Sequence, residues 1–349
     1  IGGIMNVSEV IASVKEWVQQ SPAQMQGFTG AYLAGGINTM APEESFPSYR
    51  DVDVCVVLKG ETPSHNDAPL HNGLFIDCSY RSLELLQKTE SVLSSLDLAP
   101  NLVAARILAD PTSVLVQIQD RVRGAYPRCK WVLARCETAK ELALQVIPQM
   151  ENAETMAGAG MSLAFGIMHL GGVVAAASLE PPTHRKSLVQ MRRLLSPRGR
   201  SDLCEEILGV LGVSNFARSS VGTYLEESAR AFVRATEVYR TPHIFGAKIR
   251  PHVAPYLVQG AREFIDDGYW REAMPWILMS HSGSVEVLEA DAPAGERSGF
   301  RRPYERLLAD MGLETLGDCS IRAASIQGFS QRLFSYCDEL ASDNTTPSN

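Results

Sequence analysis

The sequence lacks the cysteine and histidine spacings that bind structural metal ions or build a disulfide framework. Its seven cysteines are an odd number, and no two of them form a Cys-x-x-Cys pair. Its seven histidines are scattered and form no His-x-x-x-His pair. This usage is typical of reduced thiols in a cytoplasmic protein rather than of a zinc site or a disulfide-stapled domain. We therefore expect a cytoplasmic location.

The sequence also lacks an excess of basic residues. Lysine and arginine together number 32, against 40 aspartates and glutamates, and the net charge is −8. Because affinity for nucleic acid comes mainly from cationic contacts to phosphate, we expect no nucleic-acid partner. One segment, residues 183–200, is basic without any acid, and we interpret it as a solvated helix and turn. Its basic residues are Arg185, Lys186, Arg192, Arg193, Arg198 and Arg200.

A signal peptide is not expected, because the first residues contain neither a basic region nor a long apolar core. One uncharged run, from Met156 to Leu179, is long enough to span a bilayer. It is rich in Gly, Ala and Ser and contains His169, so we predict a buried helix and no membrane partner. His169 is interpreted as a core histidine rather than a catalytic one.

The overall composition indicates a globular protein with two domains. The chain has 349 residues, of which 45% are hydrophobic and 21% are charged. Strand patterns end near residue 128, and helical patterns dominate after residue 136. We predict an α+β (α/β-like) fold, with a small mixed sheet and flanking helices in residues 5–130 and an all-helical domain in residues 131–342.

Local patterns refine this prediction. Ser8 is interpreted as the N-cap of a first helix, and the polar residues 60–72 as a long hairpin connection. Residues 82–96 are predicted to form one helix, and residues 102–108 a strand, with a helix left open for the latter. In the second domain, two of the predicted helices span residues 270–279 and 326–340.

Two short apolar runs in the first domain, residues 51–58 and 74–78, are typical of buried strands. Residues two apart on a strand share a face, so Asp51 and Asp53 point the same way while the valines between them point into the core. The second run contains Asp77. If the two strands are neighbours, Asp77 joins the other acids.

Three ionised carboxylates at one place repel one another. At about 4 Å and an effective dielectric constant of about 20, each pair costs about 4 kcal/mol. A hard divalent cation offsets this repulsion, and Mg²⁺ typically binds one or two carboxylates together with substrate phosphates. The preceding pair Gly35-Gly36 has no side chains and would let a phosphate approach the backbone amides. The alternative is two ordinary strands with acids at their exposed ends, preceded by a plain glycine turn.

Gly35-Gly36, then Asp51-x-Asp53 on an apolar strand, then a third acid on a later strand, resembles the polymerase-β-like nucleotidyltransferase superfamily. Within that superfamily, the stretch is most similar to antibiotic nucleotidyltransferases that act on kanamycin and other aminoglycosides. The resemblance covers residues 28–80. It implies an enzyme that moves a nucleoside monophosphate from a nucleoside triphosphate, with ATP expected, to a hydroxyl of a small molecule. An aminoglycoside-like antibiotic is the candidate acceptor.

The resemblance also implies roles for individual residues. Asp51, Asp53 and Asp77 would be the catalytic acids and would bind one or two Mg²⁺ ions. Asp77 would bind metal, act as the general base, or both. Gly35 and Gly36 would contact the phosphates of the nucleotide. In the kanamycin enzyme a glutamate of the helical domain is the base, and the candidates for that role here are Glu137, Glu141, Glu151 and Glu154.

Other interpretations stay open at the level of sequence. The same fold could be a non-catalytic binding or regulatory protein, or the enzyme could nucleotidylate a protein rather than a small molecule. A homodimer is also left open. Ser79 and Tyr80, just past Asp77, could line a nucleotide pocket or merely end a strand.

Overall fold

The computed structural model describes residues 5–343. The chain divides into two compact units, one that ends at Arg135 and one that begins at Cys136. The boundary expected from the sequence lies a few residues earlier, between residues 130 and 131. The division falls within helix α6 (Cys129–Leu144).

The first unit is built around a mixed five-stranded sheet. Its strands are β1 (Phe28–Leu33), β2 (Asp51–Leu58), β3 (Leu70–His71), β4 (Leu74–Ser82) and β5 (Arg106–Ala109). They lie in the order β3-β4-β2-β1-β5, with β2 and β4 parallel and the other neighbours antiparallel. A small mixed sheet followed by helices is the α+β fold that the sequence predicts, and this prediction is confirmed.

The connection between β2 and β4 is not the predicted hairpin. A hairpin joins antiparallel strands, whereas β2 and β4 run parallel. The chain instead returns along the outer side of β4, where Asp67 pairs with Cys78 and β3 pairs with the start of β4. The turn Asn72-Gly73, with φ of 49° and 79°, closes the hairpin between β3 and β4. That Asn-Gly pair is a hairpin signal that the sequence analysis overlooked.

Helix α1 (Val7–Gln20) covers one face of the sheet. Its buried valines pack with the valines of β2 that alternate with the acids. The predicted N-cap, Ser8, is wrong, because the cap is Asn6. The Asn6 side chain accepts a hydrogen bond from the Glu9 amide (2.9 Å), and the Glu9 carboxylate accepts one from the Asn6 amide (2.8 Å). This reciprocal pair satisfies two amides that the first helical turn leaves without partners.

The remaining helices of the first unit are short: α2 (Leu83–Gln87), α3 (Thr89–Ser94), α4 (Leu98–Ala104) and α5 (Val114–Ala125). The prediction of one helix over residues 82–96 is wrong, because the backbone leaves the helical region at Lys88 (ψ 81°). The predicted strand over residues 102–108 divides into the end of α4 and most of β5. Helix α5 packs against β1 on the face opposite α1, where a Cβ on Gly30 would lie 2.6 Å from Leu115 Cδ1.

The second unit is built from helices. After α6 they are α7 (Val146–Glu151), α8 (Met156–Ala177), α9 (Ser187–Leu195), α10 (Ser201–Leu211), α11 (Arg218–Val238), α12 (Ala254–Asp266), α13 (Met274–Asp291), α14 (Ala294–Asp310) and α15 (Leu316–Asp343). Two predicted helices have wrong limits: the one over residues 270–279 begins four residues before α13 and ends too early, and the one over residues 326–340 is too short at both ends. Helix α13 continues through the polar run Ser280–Ser284 because neighbouring helices bury most of the run and pair two of its hydroxyls, Ser282 with Tyr304 at 2.8 Å and Ser280 with Ser228 at 2.9 Å.

Helix α8 is the uncharged run that is long enough to span a bilayer. It has the length and hydropathy of a membrane span, but 83% of its most apolar window is buried inside the protein. Core helices of soluble proteins pass the same test of length and hydropathy. Its burial agrees with the prediction of a core helix.

One buried histidine of α13 gives the protein a pH-dependent stability. His281 is 1% exposed, and neither ring nitrogen has a hydrogen-bond partner among the described residues. Burial lowers the pKa of His281 to about 4, because the charged imidazolium is poorly solvated there. In the unfolded chain the imidazole of residue 281 therefore binds a proton near pH 6.5, whereas in the folded chain it does so only near pH 4. Stability from this group is present above pH 6.5 and is lost as the pH falls toward 4.

We expect His281→Phe to flatten the pH dependence of unfolding. Its ring can keep the edge-on contact with Tyr304, now at 5.1 Å between centroids, but it does not titrate. Between pH 7 and pH 5 the parent should lose about 2 kcal/mol more unfolding free energy than the variant. Urea unfolding at both pH values measures this difference. His65→Gln, at a side chain that is 74% exposed, is the control, and equal pH dependence in parent and His281→Phe would contradict the prediction.

Candidate metal centre

Asp51, Asp53 and Asp77 lie together on the face of the sheet opposite α1. Along β2 the side chains alternate, so both acids of this strand are half-buried while Val52 and Val54 are buried in the core. The parallel register of β2 and β4 places Asp53 directly opposite Asp77. One carboxylate oxygen from each acid lies within 4.8 Å of the other two. The structure thus brings the three predicted acids to one place.

Gly35 lies against this acid trio. The antiparallel register of β1 with β2 pairs Leu33 with Val54, so the chain leaves β1 beside Asp53. The Ala34 amide donates a hydrogen bond to the Asp53 carbonyl (3.0 Å). Gly35 has φ 65°, and a Cβ added there would lie 1.9 Å from Asp53 Oδ2. A glycine is required here because both the backbone conformation and the carboxylate exclude a side chain.

Gly36 differs from its neighbour. It begins the short 3-10 turn Gly36–Thr39, and a Cβ added to it would meet nothing within 4 Å. The Gly35 amide donates to Asn101 Oδ1 at 3.3 Å. The role of the two glycines in contacting phosphates stays a prediction. The structure adds a separate reason for Gly35, which is the close approach of the Asp53 carboxylate.

On the same face of the sheet, the positions that follow the acids along β2 and β4, and the β1 residue beside them, carry neutral polar groups. Tyr32 lies opposite Cys55, and Cys55 lies opposite Ser79. Burial raises the pKa of the Tyr32 hydroxyl well above its ordinary value, and burial likewise raises the pKa of the Cys55 thiol. Both groups are therefore uncharged at neutral pH, so they add no negative charge beneath the acid trio.

The donor set fits a hard divalent cation. Three carboxylates offer oxygen ligands, which suit Mg²⁺, Mn²⁺ and Ca²⁺ rather than the softer metals that prefer sulfur or imidazole. No second group of three metal-binding side chains this close together occurs among residues 5–343. The absence of a Cβ at residue 35 leaves room for the Asp53 carboxylate, whose Oδ2 would lie 1.9 Å from such an atom. Asp51, Asp53 and Asp77 are therefore the residues that could hold such an ion.

Ser79 and Tyr80 divide between the two faces of the sheet. Ser79 follows Asp77 on the acid face and lies opposite Cys55. Tyr80 packs on the α1 face, and its hydroxyl donates a short hydrogen bond to Asp67. Tyr80 therefore lies on the face opposite the acids, and of these two residues only Ser79 shares the face of the acid trio. Period-two alternation along β4 could have shown this.

The four glutamates weighed as a general base are exposed residues of the second unit. Glu137 forms an ion pair with Lys140 at 2.7 Å, and Lys140 also pairs with Asp338. The other three, Glu141, Glu151 and Glu154, lie at exposed positions of α6, of α7 and just before α8. Their role as a base stays untested.

The basic segment of residues 183–200 is largely paired within the second unit. Arg192 bonds to Glu205 and Glu272 at 2.7 Å each. The remaining pairings are Arg185 with Glu263, Arg193 with Glu180 and Arg200 with Asp202. These guanidinium groups are matched by carboxylates, and the segment is solvated only in part, because the side chains of Arg185 and Arg192 are 9% and 22% exposed.

His169 is a half-buried residue of α8. Its ring bonds to the backbone of Leu142, and burial lowers the pKa of His169 to about 4. It lies in a row of rings with Phe165 and His184, at centroid distances of 6.0 and 5.9 Å. These contacts agree with the prediction of a core histidine.

Three polar residues that the sequence analysis missed surround the glycine turn. Asn38 and Arg106 bond to each other and to the backbone of the turn, and Asn101 accepts from Gly35. No local pattern marks them, because the bonds from Asn101 to Gly35 and between Asn38 and Arg106 join residues more than 60 positions apart in the chain.

Comparison with known proteins does not place the chain in a family. No family model matches it, and no curated protein is significantly similar to it.

Proposed function

We propose that the protein is a Mg²⁺-dependent nucleotidyltransferase. It would transfer a nucleoside monophosphate from a nucleoside triphosphate, ATP in the first instance, to a hydroxyl group of a small molecule, with release of pyrophosphate. The observation that carries the proposal is the convergence of Asp51, Asp53 and Asp77 within 4.8 Å beside the turn at Gly35. The order of glycine turn, paired acids and third acid along the chain supports the same assignment.

In this proposal the acids of β2 and β4 have distinct tasks. Asp51 and Asp53, on one strand, hold one or two Mg²⁺ ions, and Asp77 completes the site from the neighbouring strand. When bound, Mg²⁺ supplies Lewis-acid stabilisation of the charge that develops on phosphate oxygens. Asp77 is also suited to accept the proton of the acceptor hydroxyl, which requires an approach to about 3 Å. Gly35 contributes space, because any side chain there would occupy the position of the Asp53 carboxylate.

The acceptor is proposed to be an aminoglycoside-like antibiotic, which would make the protein a resistance enzyme. The resemblance to antibiotic nucleotidyltransferases and the net charge of −8, which suits a cationic substrate, support this class. A screen with radiolabelled ATP and Mg²⁺ against aminoglycosides, other hydroxyl compounds and proteins tests it. Label transferred to protein alone would replace the small-molecule acceptor with a protein acceptor.

Nucleotide binding provides the first test of the proposal. We expect calorimetry to show ATP binding with Mg²⁺ and much weaker binding in EDTA, because phosphates need the cation to approach three carboxylates. Asp77→Asn should abolish pyrophosphate release. If Asp77 is chiefly the base, this variant should retain most of the Mg²⁺-ATP affinity. A parent protein that binds ATP equally well with and without Mg²⁺ would favour a regulatory scaffold over an enzyme.

A further inference from the structure

The turn that carries Gly35 cannot shift without disturbing Asp53. The place where a Cβ would stand on Gly35 is 1.9 Å from Asp53 Oδ2, so the glycine backbone lies in contact with the carboxylate. The Ala34 amide also donates to the Asp53 carbonyl at 3.0 Å. The position of this turn therefore limits the orientations open to one acid of the trio.

Asn38 ties the turn to two strands. Its side-chain amide donates to the Leu33 carbonyl at the end of β1 (2.8 Å), and its Oδ1 accepts from the Arg106 amide at the start of β5 (3.2 Å). Its own backbone amide donates to the Gly35 carbonyl at 3.3 Å. One side chain thus joins the turn to both neighbouring strands.

Arg106 holds the far end of the same turn. Its Nη2 donates to the carbonyls of Met40 (2.8 Å) and Asn38 (3.4 Å). Arg106 is half-buried, so these bonds are less exposed to competing water than bonds on an open surface. A planar guanidinium offers several donors in a fixed arrangement, which a lysine ammonium does not reproduce.

Asn101 holds Gly35 from the opposite side. Its Oδ1 accepts from the Gly35 amide (3.3 Å), and its Nδ2 donates to Asp97 Oδ1 (2.8 Å). Asp97 in turn accepts from Arg81 Nη2 at 2.9 Å. Arg81 belongs to β4, the strand that carries Asp77. A chain of hydrogen bonds therefore connects the glycine turn to the strand of the third acid.

We propose that Asn38, Asn101 and Arg106 are positioning residues that strengthen metal binding by the acid trio. They act by holding the Gly35 turn in place against Asp53 and do not themselves bind the ion. The inference rests on the proposed function in one respect, that the trio binds a divalent cation. Residues that orient metal ligands by hydrogen bonds typically change metal affinity by about 10- to 100-fold when removed. Since these three act through a backbone turn, we expect the lower end of that range.

The test uses Mn²⁺ alone as the probe, because it shares the oxygen ligands of Mg²⁺ and its free concentration is measured by electron paramagnetic resonance. We expect Arg106→Met to weaken Mn²⁺ binding by the full-length protein about tenfold. Arg106→Lys should recover part of the loss, since one ammonium can still reach one carbonyl. Arg123→Met is the control, because Arg123 also donates to a backbone carbonyl (Val103, 3.0 Å) but is an exposed residue of α5 that does not contact the Gly35 turn.

A second measurement separates positioning from general destabilisation. In the metal-free protein, hydrogen exchange of residues 34–40 should accelerate in Arg106→Met and in Asn101→Leu, while exchange in β2 and β4 stays as in the parent. In an Asp53→Asn background, Arg106→Met should cause no further loss of Mn²⁺ affinity, because the acid through which it acts is neutral.

The outcomes distinguish this inference from the proposed function. Unchanged Mn²⁺ affinity in Arg106→Met and Asn101→Leu, with a parent that binds Mn²⁺ through its acids, would overturn the positioning roles and leave the proposed function standing. Equal losses with and without Asp53 would also overturn them. A parent that shows no Mn²⁺ binding dependent on Asp51, Asp53 and Asp77 would overturn both.

Discussion

Asp53→Asn should lower nucleotidyl transfer at least about a thousandfold while the protein stays folded. The change keeps the shape of the side chain but removes the charge of a proposed metal ligand at the centre of the trio, where Asp53 lies opposite Asp77 and two residues from Asp51. Loss of Lewis-acid stabilisation is worth several kcal/mol, and each 1.36 kcal/mol is about tenfold in rate. Asp51→Asn should have an effect of the same order. Pyrophosphate release with a confirmed acceptor measures both variants.

Stability should move in the opposite direction from activity. Removing one of three adjacent negative charges relieves repulsion in the metal-free protein, so the melting temperature in EDTA should stay equal or rise. The parent should gain stability on adding Mg²⁺, and the variant should gain less, because only the folded chain offers the site. Asp120→Asn, at an exposed position of α5, is the control for charge. Near-parental pyrophosphate release from both Asp51→Asn and Asp53→Asn would contradict the assignment of these acids.

Gly35→Ala should reduce metal binding and turnover severely, whereas Gly36→Ala should be tolerated. Alanine at residue 35 would have to adopt a φ of 65° and place its Cβ 1.9 Å from Asp53 Oδ2. The left-handed conformation costs about 1–2 kcal/mol, and the clash forces the carboxylate to move. A displacement of about 1 Å at a catalytic group can cost about a hundredfold in rate, so we expect at least that loss of turnover.

The neighbouring glycine provides a matched control for this prediction. A Cβ on Gly36 meets nothing within 4 Å, and its φ is not positive. Mn²⁺ titration and pyrophosphate release of both variants, with melting curves to establish folding, give the comparison. Equal tolerance of both substitutions would show that the approach of Gly35 to Asp53 is not needed for function. An equally severe loss from Gly36→Ala would instead indicate a ligand that approaches that glycine.

The sequence by itself determined the main elements of the site. Alternation over the first four residues of β2 put Asp51 and Asp53 on one face and Val52 and Val54 in the core, because successive side chains of a strand point to opposite sides. The apolar run around Asp77 identified a second strand. These features depend on local periodicity, which is readable residue by residue.

Tertiary structure alone decided how these elements meet. The direction of β4 relative to β2 depends on the path of residues 59–73, and an apolar pattern of period two is the same in either direction. The parallel register places Asp53 opposite Asp77. The contact of Gly35 with Asp53 likewise depends on the pairing of β1 with β2. Asn101 and Arg106 reach the glycine turn across more than 60 residues of sequence, and contacts between such distant residues arise only when the whole sheet has formed.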